Sequence, residues 1–266
     1  SDLRDILATN AYHAGVLDRD AAHLHPLKLA LGLARAAEIA GARIFEMSEV
    51  TDVAKGPHPR IKTADGEVSA HHVIFACNGY LGNLAPPVAA RVMPINNYIL
   101  ATAPLDPALA RSLIANGAGV ADSKFVINYY RLSPENRLLF GGRESYGYRF
   151  PTDIKTFVQK AMLEIYPQLA DTPIDYGWGG TLAITMNRLP YLTRIGPNML
   201  SASGYSGHGV AMATFCGLLA AEAVCGQAER FDAMASIPTP RFPGGASFRS
   251  PLLALAMAWY ALRDRL

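Results

Sequence analysis

Twelve residues, Ser201-Ala202-Ser203-Gly204-Tyr205-Ser206-Gly207-His208-Gly209-Val210-Ala211-Met212, run from a short strand-like segment into a helical pattern with three glycines among them. Glycine at such a junction lets bare backbone approach a flat or anionic ligand. The unpaired N–H groups of the first helical turn add partial positive charge there. The segment Met212–Val224 that follows is apolar on nearly every face, which predicts a buried helix. Three glycines would serve equally for a plain turn into a core helix, so the motif needs support from elsewhere in the chain.

A second small-residue turn supplies some of that support. His72-Val73-Ile74-Phe75-Ala76-Cys77 is a continuous apolar run, as expected of a strand covered on both faces, and it stops at Asn78-Gly79-Tyr80. Upstream, Pro26 opens a helix whose apolar positions Leu27, Leu31 and Ala34 recur at helical spacing until Gly41. Arg43–Phe45 and Glu49–Val53 read as strands, and Asp65-Gly66 marks a hairpin between Arg60–Thr63 and Glu67–Ser69. The carboxyl end of the 72–77 strand is where an α/β sheet holds ligands.

From Ala90 the texture changes. Val92–Thr102, Phe125–Leu132 and Arg137–Gly141 are rich in Tyr, Ile and Val and predict an antiparallel sheet, with helices over Pro107–Ile114 and Pro151–Tyr166. Ile174–Met186 holds Gly177-Trp178-Gly179-Gly180, too much glycine for an ordinary strand interior. Tyr191–Ile195 and Met199–Ser203 form a hairpin that delivers the chain to the glycine motif. An apolar helix over Leu252–Leu262 is shorter than the about 20 residues that span a bilayer, and docking on the protein body is expected.

Composition excludes several classes. Among 266 residues 17% are charged and the net charge is +2, with no block of like charges to capture nucleic acid or an anionic membrane. Cys77, Cys216 and Cys225 sit in apolar surroundings without metal-like spacing, and His23, His25, His71 and His72 form no metal-like pair, so no metal is assigned. Free thiols predict a reducing, cytoplasmic location. The oligomeric state is left open.

Taken together, Leu24-His25-Pro26-Leu27, Val73–Tyr80, Trp178-Gly179-Gly180-Thr181, Asn187-Arg188-Leu189-Pro190 and Gly204–Gly209 resemble, in order and spacing, the FAD-dependent D-amino-acid oxidase superfamily. The nearest branch is that of the gamma-glutamylputrescine oxidases, which also share the Gly141-Gly142-Arg143 strand end. The resemblance implies an α/β (α+β) fold in two domains. Residues 1–90 and 177–266 would be the remainder of an FAD-binding domain and 91–176 an antiparallel-sheet substrate domain. Such proteins begin with a strand, a G-x-G-x-x-G turn and a helix, which this sequence does not contain. It resembles the C-terminal three-fifths of a member, so the chain itself is expected to bind FAD poorly or not at all.

By the same resemblance, Gly204, Tyr205, Gly207, His208, Gly209 and Val210 are flavin contacts. Val50, Ala76, Cys77, Asn78 and Gly79 would contact the adenosine and pyrophosphate, and Trp178, Gly179 and Gly180 would flank the ring. Tyr98, Tyr129, Arg143, Tyr148 and Asn187 are the implied substrate contacts. Each has a plainer reading: His208 as a helix-capping group, Trp178 and the tyrosines as packing, Arg143 as half of a surface ion pair. Where the sarcosine-oxidase branch places a substrate-binding lysine, two residues beyond Gly207-His208-Gly209, this chain has Ala211; nor does it have the cysteine that tethers flavin in that branch. The implied activity is therefore amine oxidation with noncovalent FAD and a small-molecule amine as partner. It comprises hydride transfer from the amine carbon, imine hydrolysis and reoxidation by oxygen, with no catalytic base. A dehydrogenase that passes electrons from an amino acid or N-methyl amine to a carrier, and a flavin-free binding or scaffold subunit, are the alternatives.

Overall fold

A computed structural model of the chain describes residues 3–124, 126–146 and 149–244. After a single-turn helix, α1 (Leu3–Ile6), comes α2 (Pro26–Ile39), with Pro26 at its first position and His25 Nδ1 accepting the Lys28 N–H at 3.3 Å. Three short strands follow, β1 (Asp52–Ala54), β2 (Arg60–Lys62) and β3 (Glu67–Ser69), the last two turning at Asp65-Gly66, where Thr63 Oγ1 accepts the Gly66 N–H. Next are β4 (Val73–Phe75), α3 (Pro86–Ala89), β5 (Met93–Thr102) and α4 (Pro107–Leu113), whose first N–H groups are capped by Asp106. Strands β6 (Val120–Ala121), β7 (Tyr129–Leu132) and β8 (Leu138–Tyr146) lead to α5 (Ile154–Ile165), capped by Asp153 on the Thr156 N–H at 3.0 Å. The described chain ends with β9 (Ile174–Ile184), β10 (Tyr191–Gly196), β11 (Met199–Ser203), α6 (Gly209–Val224) and α7 (Glu229–Ala235).

These elements form two compact units. Among the described residues, one takes 3–23 and Ile95–Thr181; the other takes Leu24–Pro94 and 182–244. The first residues lie with the antiparallel sheet, held by a Leu7–Ile114 bridge and by Thr9 Oγ1 donating to Ile165 O at 2.6 Å.

In the first unit five strands are ordered β6-β7-β8-β5-β9, antiparallel in the pairs β6–β7, β7–β8 and β8–β5. Period-2 alternation sends Tyr98, Leu100, Tyr130, Leu138 and Phe140 into a core with Val158, Met162 and Ile165 of α5. Tyr130 stacks on Phe140 with ring centroids 5.3 Å apart. A register shift between Asn97 and Ile99 meets Arg143 at φ 66° on the facing strand, a bulge that re-aims the side chains beside it.

The second unit is built on the sheet β10-β11-β4, in which β11 and β4 are parallel and Ser201 pairs with Phe75. Leu200 and Ala202 of β11 pack against Cys216, Leu219 and Ala220 of α6 and Phe231 of α7. A separate antiparallel sheet, β1-β2-β3, completes the unit.

Three expectations fail here. The predicted strand Arg43–Phe45 is not formed: a strand exists only through its ladder, and these residues have no strand partner among the described residues. β4 is an edge strand with Ile74 41% exposed rather than a strand covered on both faces. α6 buries only Cys216, Leu219 and Ala220 and leaves Val210, Phe215 and Leu218 between 40% and 51% exposed. α2 likewise buries none of its residues, with Leu27 and Leu31 open. The predicted helix over 252–262 lies outside the described residues. No described helix is long and apolar enough to cross a membrane.

Candidate functional site

Within the second unit the two loops that leave the parallel strands β4 and β11 meet. Asn78, at φ 45°, accepts the Gly204 N–H on Oδ1 at 3.1 Å. This joins the carboxyl ends of two parallel strands, the position at which open α/β sheets hold ligands. Gly204, at φ 71°, is enclosed: a Cβ there would lie 2.6 Å from Thr185 Cγ2 and 3.3 Å from Tyr191 Cβ. Ser206 is fixed too, its N–H donating to Ala183 O at 3.0 Å and its Oγ accepting the Thr185 N–H at 3.1 Å.

Past Ser206 the backbone opens. Gly207 has φ 96° and nothing within 4 Å of where a Cβ would stand. His208 is the N-cap of α6, yet its side chain makes no capping hydrogen bond, so the first-turn N–H groups have no side-chain acceptor there. Gly207, His208 and Val210 are exposed and Gly209 is half-buried. An uncapped sixteen-residue helix behind an unobstructed glycine presents fixed donors and positive dipole to an electron-rich, planar group. A flavin ring fits that description through its pyrimidine edge, and the residues that would hold it are Gly207 to Val210.

Tyr205 is corrected. Its ring is buried beside Cys216 and Leu219, and its hydroxyl donates to Ala202 O at 3.0 Å, so the side chain anchors the loop and is not offered to a ligand. Burial, with the nearby Cys216 adding, pushes its hydroxyl up to about 12. Of the residues after β4, Gly79 is buried, Cys77 and Asn78 are half-buried and Ala76 is exposed. Val50 is half-buried and is flanked by a hollow of about 280 Å³ lined by Glu49, Thr51, Asp52 and Tyr80 to Leu84. Asn187 is also accounted for structurally: its Nδ2 donates to Pro238 O at 2.9 Å and its Oδ1 accepts the Leu189 N–H at 3.2 Å.

The first unit contributes a sheet face turned away from α5. Tyr129 lies across Gly141 on that face. A Cβ on Gly141 would be 2.6 Å from Tyr129 Oη and closer still to the ring carbons, so only glycine allows the ring to lie flat. The Tyr129 hydroxyl donates to Asn97 Oδ1, and Asn97 Nδ2 donates to Arg143 O at 3.4 Å. Burial, and secondarily Glu144, raise the Tyr129 pKa well above the usual phenol range, which keeps it a neutral donor. Trp178 is 44% exposed, and Gly180 shares its face by alternation.

Other expectations for this unit are overturned. Tyr98 is fully enclosed, edge-on to Phe157 and Phe150, with its hydroxyl on Ser145 Oγ; it is core and not a substrate wall. Gly179 faces the same core, where a Cβ would meet Tyr98 and Phe150 at 2.7 Å. Arg143 pairs with Glu164 of α5 at 3.2 Å, the plain ion-pair role, because the bulge turns it toward the helix. Tyr148 lies outside the described residues. Asn97 was missed, although an Asn-Asn pair inside the apolar run Met93–Thr102 is unfavourable in a strand and so worth noticing. Among the described residues no cluster of three His, Cys, Asp or Glu side chains could hold a metal.

One unit thus carries a glycine-lined helix entrance at the ends of parallel strands, and the other, taken by itself, carries a tyrosine-bearing antiparallel face. Residues 1–223 match the FAD dependent oxidoreductase (DAO) family, and the chain belongs to it. It is 44% identical over 260 residues to the probable oxidoreductase OrdL of Rhizobium meliloti (strain 1021), covering 97% of this chain and 60% of that protein. To the gamma-glutamylputrescine oxidoreductase of Escherichia coli (strain K12) it is 42% identical over 265 residues, covering 99% of this chain and 62% of that protein. The chain therefore spans about three-fifths of the length of these curated relatives. The fold is that of glycine oxidase from Geobacillus kaustophilus, with a TM-score of 0.64 at 24% identity over 75% of this chain and 54% of that structure.

Proposed function

We infer that the full-length protein to which this chain corresponds is an FAD-dependent amine oxidoreductase acting on gamma-glutamylputrescine or a closely similar diamine conjugate. The observation that carries this is the Gly204–Val210 entrance to α6, tied by Asn78 to the end of β4 and left without a side-chain cap. When bound, FAD supplies the acceptor for a hydride from the carbon bearing the amine, and the imine so formed hydrolyses in water. The chain's own part is to bind and orient. The first-turn N–H groups of α6 stabilise negative charge by about 0.3 to 2 kcal/mol. On the sheet face, Tyr129 remains protonated, its O–H donating to Asn97 Oδ1, which fixes the ring over Gly141 and leaves the phenol oxygen as an acceptor. No residue is assigned as a base, and the amine reacts in its neutral form.

Substrate choice rests on Ala211, exposed in the first turn of α6, where it supplies no cation for the carboxylate of a small amino acid. The test is steady-state peroxide formation and dye reduction by the full-length protein with gamma-glutamylputrescine, putrescine, glycine and sarcosine. Preference for the conjugate, with FAD released intact on denaturation, is expected. Activity confined to glycine or sarcosine, or flavin that stays with the unfolded chain, would overturn the reading.

A further inference from the structure

In the sheet β1-β2-β3, Arg60 of β2 stands opposite Ser69 of β3, and one step further out the Ala70 N–H donates to Pro59 O at 3.0 Å. The same register next brings His58 opposite His71. Pro59 and Ala70 fill a hydrogen-bonded position, so His58 and His71 fall at the alternate position, where facing side chains of an antiparallel ladder lie closest. Their ring centroids are 4.9 Å apart, with the planes inclined at 72°. The backbone is fixed on both sides. Pro59, which is buried, restricts His58 before it to extended backbone. Asn198, in the turn between β10 and β11, donates through Nδ2 to Gly56 O, Pro57 O and His71 O at 3.2, 3.1 and 3.1 Å, and so clasps both histidine-bearing segments at once.

We propose that His58 and His71 together bind a divalent ion of the borderline class, Zn²⁺ or Ni²⁺, at a site that stands apart from the amine oxidoreductase reading. Imidazole nitrogen suits such ions. With metal–nitrogen bonds of about 2.0–2.1 Å, two imidazoles on one tetrahedral ion have ring centres about 5 Å apart, which is the separation found here. Both side chains are exposed and no hydrogen bond to the described residues holds either ring, so rotation about χ2 turns a nitrogen of each to a shared point at no loss. Arg60, two residues along on the same face, pairs with Glu67 at 3.6 Å, which offsets its repulsion of a cation. Among the described residues no third His, Cys, Asp or Glu joins the two histidines, and water completes the coordination. Bound there, the ion ties the turn between β1 and β2 to the residues that enter β4.

The test titrates the full-length, tag-free protein with ZnCl₂ and with NiCl₂ by calorimetry, beside His58→Ala, His71→Ala and, as the neighbouring control, His72→Ala. Each ion binds the wild type with an equivalent whose affinity falls about tenfold or more in His58→Ala and in His71→Ala, and stays within about twofold in His72→Ala. Urea unfolding in metal-free buffer shows whether the variants keep their fold. A second readout needs no variant: Zn²⁺ slows ethoxyformylation of His58 and His71 together in the wild type, followed by mass spectrometry, and leaves His72 as reactive as before. Loss of that protection, binding that survives either substitution, loss on only one of the two, or a wild type that binds neither ion overturns the proposal.

Discussion

Gly204 and Gly207 stand three residues apart, both in left-handed backbone, and the structure assigns them opposite surroundings. Replacing either with alanine puts a side chain at positive φ, at about 1–2 kcal/mol, and restricts the unfolded chain, which returns about 0.4–1 kcal/mol. For Gly207 nothing else changes, because no atom lies within 4 Å of the new Cβ. At Gly204 the Cβ would sit 2.6 Å from Thr185 Cγ2, 3.3 Å from Tyr191 Cβ and 3.4 Å from Val92 Cγ1, all in the packed interior. Relieving that overlap adds about 1–3 kcal/mol. Gly204→Ala should therefore destabilise the chain by about 2–4 kcal/mol, and Gly207→Ala by about 1 kcal/mol or less, in urea unfolding followed by circular dichroism. Flavin affinity of the full-length protein should rank the other way relative to stability. Gly207→Ala projects a methyl into the open side of the helix entrance and should weaken FAD binding about tenfold or more, near 1.4 kcal/mol. Two results would refute this reasoning: Gly207→Ala as destabilising as Gly204→Ala, or Gly207→Ala binding FAD like the wild type.

Two further outcomes follow from buried polar groups. Burial pushes the hydroxyls of Tyr205 and Tyr166 up to about 12 from an ordinary value of 10, while each donates to a backbone carbonyl, Ala202 O and Leu113 O. Their neutral forms belong to the folded state, so the associated stability is complete below pH 10 and is lost as pH rises through 12, on the order of 2–3 kcal/mol for each. Phenolate absorbance and unfolding free energy should change together over that window, and tyrosine ionisation complete by pH 11 with the fold intact would contradict it. Among the thiols, Cys225 is exposed, Cys77 is half-buried with its pKa raised by burial, and Cys216 is buried with its pKa also raised. Alkylation by iodoacetamide at pH 8 should reach Cys225 first, Cys77 more slowly and Cys216 only on unfolding; comparable rates for Cys216 and Cys225 would be the contrary result.

What the sequence disclosed was mostly local. Glycine at 204 and 207 and the apolar run after them predict a strand, a turn and a helix; β11 has the expected bounds, and α6 ends at Val224 as the pattern says but starts three residues before the apolar run, at Gly209. Burial was legible only as a demand. The residues of β4 and α6 have the apolarity of enclosed elements, but residue type does not name the element that encloses them, and Ile74, Phe215 and Leu218 remain open. The substrate face failed for a different reason. Tyr98 and Tyr129 are equivalent as strand tyrosines, and only the pairing register and the bulge opposite Arg143 decide that one enters the core while the other lies over Gly141. The structural role of Asn187 is not legible locally, because the carbonyl its Nδ2 donates to, Pro238 O, is 51 residues away.

The hydrogen bond from Gly204 to Asn78 spans 126 residues of sequence, and β4 pairs in the described sheet only with β11. A ribosome adding about 5–20 residues per second needs roughly 6–25 s to travel that distance. Throughout that interval the β11-facing edge of the nascent 73–75 strand waits for its partner, while residues 95–181 of the antiparallel unit are made. Assembly of the ligand-facing loops is thus ordered in time: the glycine turn closes only once the last quarter of the chain has emerged to meet its waiting strand.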